Sequence, residues 1–232
     1  MQIALERKGA YAMKTRKEAA RIVELLEEEY PLAECGLDSD SAWQLLVSVR
    51  LSAQCTDARV NVVTPVLFEK FPSISALRDA PVEEITRIVK PCGLGNSKAR
   101  DIKRCMTMLR DEYGGEVPRD MDKLLRLPGV GRKSANLILG DVYGLPAVVA
   151  DTHCIRLSNR LGFMKRNDPS STDPYKVEME LKKVVEPQKQ NDLCHRFVMH
   201  GRAVCTRRKP MCEKCTLRDE CRYYSDLRKK GE

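Results

Sequence analysis

A lysine directly after a glycine-containing turn is the side chain of this sequence best placed for covalent chemistry. Residues 124–135 read LLRLPGVGRKSA, and Lys133 falls in the first turn of the helix that this pattern predicts. The positive end of a helix disfavours a protonated amine, and a neutral amine is a nucleophile. Helical geometry also turns Lys133 away from the apolar stripe of that helix, so it need not be buried. A solvated surface lysine is the alternative.

The turn before this lysine predicts an anion site. Gly129 and Gly131 permit a tight connection with exposed backbone N–H groups beside the positive end of the second helix. Such a site suits a DNA phosphate and reads no base sequence. An ordinary connection between two helices would have the same spacing. The segment resembles the helix-hairpin-helix element of DNA-binding proteins that have no sequence preference.

Four cysteines near the end of the sequence have metal-ligand spacing. They follow the pattern C-x6-C-x2-C-x5-C, at Cys205, Cys212, Cys215 and Cys221. Structural zinc often uses two C-x2-C pairs and only one occurs here, so the spacing favours a [4Fe-4S] cluster over zinc. A disulfide framework is disfavoured in an intracellular chain. The other six cysteines are scattered, and we expect them to pack as small apolar groups.

Positive charge is concentrated around these cysteines. The chain has 41 Lys and Arg against 33 Asp and Glu, and residues 201–232 hold ten of the cations against five acidic residues. Arg207, Arg208 and Lys209 lie between the first two cysteines, on a loop whose ends a metal would fix. We therefore expect phosphate contacts there and a polyanionic partner, although a solvated basic surface gives the same composition.

Helical periodicity dominates the elements that must position these residues, and it predicts an all-α fold. The predicted boundaries are a stop before Pro31, a start at Ser41, an N-cap at Thr56, a start at Ser97 and an N-cap at Asp173.

No membrane or secretory signal accompanies these helices. No apolar stretch approaches the roughly 20 residues that span a bilayer, and the N-terminus lacks the apolar core of a signal peptide. We expect an intracellular protein associated with the nucleoid. Met13 is a second candidate start, which would make residues 1–12 an extension.

Two adjacent segments resemble the catalytic region of the endonuclease III family. They are LPGVGRKSAN and, at 148–160, VVADTHCIRLSNR. The resemblance implies that Lys133 attacks C1′ of the damaged nucleotide and that Asp151 assists, stabilising positive charge on the sugar or helping to deprotonate the amine. An N-cap role for Asp151, at the start of the helix near Thr152, is the alternative. The cysteine spacing is also the family's cluster signature, which implies a [4Fe-4S] cluster.

Two further segments, LSAQCTD at 51–57 and CGLGNSK at 92–98, resemble family segments that enter the DNA stack. The resemblance implies that Gln54 and Leu94 fill the gap left by a flipped-out base. Without it, a glutamine at a helix end and a leucine in the core would be the simpler interpretations. Gly95 departs from the family, in which a bulkier residue is common.

The resemblance implies a two-domain architecture and an activity. A six-helix domain with the hairpin is expected over residues 35–145, and a cluster domain over residues 1–34 and 146–232. The implied enzyme is a monomeric, bifunctional DNA glycosylase and apurinic/apyrimidinic lyase that removes oxidised pyrimidines from duplex DNA. The alternatives are a monofunctional adenine-mismatch glycosylase, which uses no lysine nucleophile, and a non-catalytic DNA-binding module with zinc.

Overall fold

Helices supply all the regular secondary structure that the computed structural model describes, which is residues 13–231. The predicted all-α class is confirmed. None of these helices is long and apolar enough to cross a bilayer. Two expectations, that residues 1–12 are an extension and that the N-terminus is not a signal peptide, lie outside the described residues. The α-helices are α1 Arg16–Glu29, α2 Ala42–Ser52, α3 Asp57–Lys70, α4 Ile74–Asp79, α5 Val82–Val89, α6 Gly95–Glu112, α7 Met121–Arg126, α8 Arg132–Asp141, α9 Thr152–Leu161, α10 Pro174–Val184, α11 Gln190–Ala203 and α12 Arg222–Lys230.

The chain divides into two units, with boundaries after Glu34 and after Leu145. The continuous unit, Cys35–Leu145, contains α2 to α8, and the discontinuous unit combines α1 with α9 to α12. Residues 35–145 therefore hold seven α-helices where six were expected. One of the seven is the six-residue α4, whose first turn is capped by the Ser73 hydroxyl, which accepts the N–H of Ala76 at 3.1 Å.

Side-chain caps fix two helix starts where the sequence predicts them, because Thr56 caps α3 and Asp173 caps α10. Thr15 and Glu18 form a capping box at α1, which the sequence analysis did not predict. The start of α6 differs from the prediction, because the helix begins at Gly95 and not at Ser97. Its N-cap is Leu94, whose left-handed backbone (φ +49°, ψ +34°) turns the chain directly into the helix.

The core of the continuous unit forms around α6, which packs against α4, α5 and α2. Ala99, Ile102, Met106 and Leu109 form its buried apolar face, with exposures of 0–1 %. Burying each of the larger side chains contributes roughly 1.5–3 kcal/mol. The hairpin helices α7 and α8 pack against each other, and α8 also contacts α2. The hairpin is therefore attached to the unit's core through α8.

Within the discontinuous unit, contacts between distant parts of the chain hold its two segments together. On α1, Ile22 and Leu26 are fully buried. The backbone oxygen of Tyr30 accepts from Arg196 Nε at 3.1 Å, and the Tyr30 hydroxyl bonds to His200 Nδ1 at 3.1 Å. The C-terminal end of α1 is thereby held against α11, in the last third of the chain.

Candidate functional site

The connection between α7 and α8 is the predicted hairpin. Gly129 has φ +79°, in the left-handed region that favours glycine, whereas Gly131 has φ −100°, which any residue adopts. The N–H of Val130 donates to the Leu127 oxygen at 3.1 Å and closes the turn. Gly131 is the N-cap of α8 and has no side chain that could satisfy the first N–H groups of the helix. These amides are available to an anion.

An ion pair that the sequence analysis missed lies against the hairpin. Arg50 donates to Asp101 Oδ2 from Nε at 3.0 Å and from Nη2 at 2.6 Å, and both side chains are largely buried. A Cβ atom added to Gly129 would lie 2.7 Å from Arg50 Cδ and Nε. A glycine is therefore required at position 129 for two reasons, which are its left-handed backbone conformation and the close approach of the Arg50 side chain.

Gly129→Ala is expected to destabilise the protein by roughly 1–3 kcal/mol and to weaken binding to undamaged duplex, because both the strain and the clash distort the turn. Gly131→Ala is the matched control. Its φ is permitted, and apart from the neighbouring residues in the chain no atom lies within 4 Å of the added Cβ, so this variant should unfold at nearly the wild-type temperature. Thermal unfolding and duplex titration measure both effects. Equal losses in the two variants would contradict this account of the turn.

Lys133 lies on the exposed face of α8, in its first turn. Its amine forms no hydrogen bond or ion pair with any residue in the range 13–231. The predicted stripe on the opposite side is buried, with Ala135 and Ile138 at 0 % and Leu139 at 8 % exposure. The amine is therefore held at a rigid position on the continuous unit, yet it is open to a reactant.

Asp151 is half-buried in the discontinuous unit and caps α9, as the alternative interpretation predicts. Its Oδ1 accepts the N–H of Cys154 at 2.7 Å. The other carboxylate oxygen accepts no hydrogen bond from the described part of the chain. One oxygen therefore fixes the side chain, and the second is available to a substrate.

Gln54 and Leu94 share an unusual backbone conformation. Their φ angles are +57° and +49°, and the third non-glycine residue with a positive φ among those described is Asn167, a type that tolerates this region. Both side chains are exposed, Leu94 by 60 %. Leu94 is therefore not a core leucine, and Gln54 lies two residues beyond the end of α2.

Lys98, which the sequence analysis also missed, brings these two segments together. Its side chain is fully buried, and Nζ donates to the Leu51 oxygen at 2.8 Å and to the Cys92 oxygen at 2.7 Å. Cys55 and Cys92 are also in contact. Burial raises the pKa of the Cys92 thiol to about 11, and the neighbouring Cys55 thiol is the second cause of this rise. Gln54 and Leu94 thus follow directly on two segments that are bonded to the same ammonium group.

The four cysteines of the predicted cluster line one cavity, at Cys205, Cys212, Cys215 and Cys221. No three His, Cys, Asp or Glu side chains within residues 13–231 are grouped closely enough to hold a single metal ion. Arg160 Nη1 donates to Cys205 Sγ at 3.1 Å, and His200 Nε2 lies 3.2 Å from Cys215 Sγ. All ten cysteines are free thiols, and of the scattered six, Cys92, Cys105, Cys154 and Cys194 are buried as expected while Cys35 and Cys55 are half-buried.

His200 has a structural role beside these thiols. Burial lowers its pKa to about 4, so its ring is neutral at pH 7. A neutral imidazole has one N–H, and its assignment to Nε2 allows a bond to Cys215 while Nδ1 accepts from the Tyr30 hydroxyl. Burial also raises the pKa of Cys215 to about 11. A bound metal would oppose that shift, because ligation deprotonates a thiol.

The loop between the first two of these cysteines exposes its three cations. Arg160 fixes the loop backbone, with Nη1 donating to the Thr206 oxygen at 2.7 Å and Nη2 to the Arg207 oxygen at 2.9 Å. The Thr206 hydroxyl donates to the Lys209 oxygen at 2.7 Å. The side chains of residues 207–209 are exposed. A rigid backbone with exposed cations is suited to phosphate contacts.

Comparisons with known proteins bear on the family and the fold of this chain. The model of the family described as "HhH-GPD superfamily base excision DNA repair protein" matches residues 47–187. The chain is 43% identical to endonuclease III of Synechocystis sp. over 208 residues, which is 89% of this chain and 92% of the relative. It is 41% identical to that of Bacillus subtilis over 202 residues, 87% of this chain and 90% of the relative.

Among solved structures, the chain is similar to a trapped covalent intermediate of an endonuclease III with DNA. The TM-score is 0.85 at 38% sequence identity, over 93% of this chain and 100% of that one. A non-covalent endonuclease III–DNA complex matches with the same TM-score of 0.85 over 94% of this chain and 100% of that one.

Proposed function

The chain belongs to the endonuclease III family and is a DNA glycosylase and apurinic/apyrimidinic lyase of base excision repair, and we propose that Lys133 is its nucleophile. The observation that carries this proposal is an exposed amine with no partner in the described chain, in the first helical turn after the hairpin. The relative whose covalent DNA intermediate was trapped supports the reaction class. Borohydride reduction of enzyme mixed with abasic duplex tests it, because only an imine becomes a stable link.

The proposed reaction has two stages. Lys133 Nζ first loses a proton and then attacks C1′, while the bond between C1′ and the base breaks and its electron pair leaves with the base. The bond between C1′ and O4′ then breaks, O4′ takes up a proton, and the sugar ring opens to give a protonated imine between Nζ and C1′. Removal of a proton from C2′ then breaks the bond from C3′ to oxygen, and the strand is cut. Water finally hydrolyses the imine and releases the lysine.

Asp151 supports the first stage in this proposal. Loss of the base places positive charge on the sugar, and a fixed carboxylate oxygen stabilises that charge. The N-cap bond from Cys154 holds Oδ1 and leaves the second oxygen for this role. Capping and catalysis are therefore compatible functions of one side chain.

We propose that Gln54 and Leu94 fill the gap in the DNA stack. Both are exposed at left-handed positions, which project a side chain from a tight turn. Oxidised pyrimidines are the proposed lesion class, on the basis of the family resemblance alone. A screen over single-lesion duplexes tests it. Action as a monomer and location on the nucleoid stay predictions.

We propose that the four cysteines hold a [4Fe-4S] cluster. Their four thiols surround one cavity, and two of the sulfur atoms are within hydrogen-bonding distance of N–H groups of Arg160 and His200, which is a common arrangement around cluster sulfur. When bound, the cluster would supply a rigid cross-link between the ends of the basic loop. Structural zinc is the competing assignment.

Substitution of Arg207, Arg208 and Lys209 together by glutamine is expected to reduce the magnitude of the slope of log affinity against log salt concentration. The expected reduction is up to about three, one for each phosphate contact that is lost. The matched control replaces three exposed cations of α1 and α10 with glutamine, at Lys17, Arg21 and Lys183. It changes the net charge equally but should leave the slope within about one of the wild-type value. An unchanged slope in the loop variant would place the DNA elsewhere.

The same titration tests the cluster. Cys212→Ala should release the metal and loosen the loop, so it should also reduce the salt slope while the three cations are still present. Elemental analysis of the wild-type protein should find about four irons per chain. One zinc and no iron would replace the cluster assignment with the zinc alternative.

A further inference from the structure

We infer that Lys98 is a positioning residue for excision, because its ammonium holds the segments that carry Gln54 and Leu94 in one arrangement. This inference rests on the proposed role of those two side chains in filling the DNA stack. Lys98 is fully buried and appears among the largest completely buried side chains of the described chain. A lysine is rarely placed there unless its charge is satisfied, because desolvation of an ammonium is costly.

The two acceptors of Lys98 explain how the charge is satisfied. Leu51 lies in the last turn of α2, and Cys92 is the last residue of the 3₁₀ turn Lys90–Cys92. Carbonyl groups at such ends have no partner within their own helix, and a cation is favourable beside them. At 2.8 and 2.7 Å, both bonds are short. One ammonium group therefore donates hydrogen bonds to the C-terminal ends of two helical segments, at residues that are 41 positions apart in the sequence.

Beyond each of these two helical ends lies a residue with a strained, left-handed backbone. Gln54 is three residues beyond Leu51, Leu94 is two residues beyond Cys92, and both have the left-handed backbone. A left-handed residue other than glycine costs roughly 1–2 kcal/mol, and it persists only where the surroundings determine it strongly. Lys98 bonds to the backbone of both segments, which the contact between Cys55 and Cys92 also joins. Its bonds fix the start of each turn and hence the direction in which each exposed side chain projects.

A lysine that served only general stability would affect all activities alike. Base excision requires the target base to be extruded from the stack, which costs a few kcal/mol, whereas cleavage at a preformed abasic site does not. A positioning role at the stack therefore predicts a split between two substrates that the same enzyme processes. It also predicts that Lys98 acts through Gln54 and Leu94.

The test compares Lys98→Met with Lys103→Met in the full-length, metal-loaded protein. Lys103 is a matched control, because it lies on the same helix and its Nζ also donates to a backbone oxygen, that of Ala80 at 2.6 Å, away from both segments. Lys98→Met should slow single-turnover excision from a lesion duplex about tenfold or more, and abasic cleavage much less. Lys103→Met should change the two rates by the same factor.

A third variant separates positioning from stability. In a protein that already carries Gln54→Ala and Leu94→Ala, Lys98→Met should slow excision less than about twofold further, because the side chains that it positions are gone. A full tenfold additional loss would overturn the inference. If Lys98→Met does not fold, Lys98→Gln retains one amide that can donate to one carbonyl, and it should show the same split; equal losses on both substrates would overturn the inference.

These outcomes also distinguish the inference from its premise. If Gln54→Ala and Leu94→Ala reduce excision and abasic cleavage equally, the stack-filling proposal fails and the inference about Lys98 fails with it. If those variants are selective for excision while Lys98→Met is not, the proposed function stands and only the positioning role of Lys98 is refuted.

Discussion

Lys133→Gln is expected to lose borohydride trapping and strand scission at an abasic site completely, while it still binds abasic duplex. Glutamine has a similar reach and remains polar, but its amide cannot form an imine with C1′. The exposed position of Lys133, without partners among residues 13–231, means that the substitution removes no internal contact. The fold should therefore be unchanged. Denaturing gels after borohydride treatment measure the adduct, and filter binding measures the affinity.

Lys123→Gln is the matched control for this variant. Lys123 is an exposed lysine on α7, the other arm of the hairpin, so the substitution removes the same charge near the same turn. It should trap DNA at the wild-type level. Trapping by Lys133→Gln would show that another amine is the nucleophile. Base removal by the wild type without trapping or cutting would favour the monofunctional adenine-mismatch alternative.

Asp151→Asn is expected to slow base release by roughly 10²–10³, the usual effect of removing one group that stabilises charge in a transition state. Asparagine keeps the capping oxygen that accepts the Cys154 N–H, so the unfolding temperature should hardly change. Asp151→Ala removes both functions and should lose about 1 kcal/mol of stability in addition. Single-turnover excision and thermal unfolding therefore separate the charge of Asp151 from its cap.

Asp173→Asn is the corresponding control. Asp173 caps α10 through bonds to the N–H groups of Tyr175 and Lys176, so its replacement makes the same chemical change at another helix start. Excision should continue at the wild-type rate. If Asp151→Asn also excises at that rate, Asp151 is only an N-cap and the assisting group lies elsewhere.

The parts of the site that the sequence predicts are those that depend on neighbours in the chain. The hairpin, the N-caps at Thr56 and Asp173 and the orientation of Lys133 away from the apolar stripe all follow from spacing over a few residues. The cysteine pattern likewise spans a short segment. Local propensity and periodicity are sufficient for such features, because the groups that interact are already close in the sequence.

The side-chain contacts that hold the hairpin and the segments of Gln54 and Leu94 in place could not be predicted, because each contact joins residues far apart in the chain. The Arg50–Asp101 pair is separated by 51 residues, and the Lys98–Leu51 bond by 47. A lysine in a polar segment gives no sign that it will be buried. The left-handed conformations of Gln54 and Leu94 were also missed, since neither residue type favours a positive φ. Tertiary contacts determine both features.

The discontinuous unit has a consequence for synthesis on the ribosome. Helix α1 is made before α2 to α12, but His200, the partner of the Tyr30 side chain that follows α1, lies 170 residues further along the chain. At roughly 5–20 residues per second, α1 waits about ten to thirty seconds before that partner emerges. The continuous unit, Cys35–Leu145, is finished during this interval. Nascent chains stalled after Val184 should therefore protect α2 to α8 from protease while the apolar face of α1 is still open to chaperones.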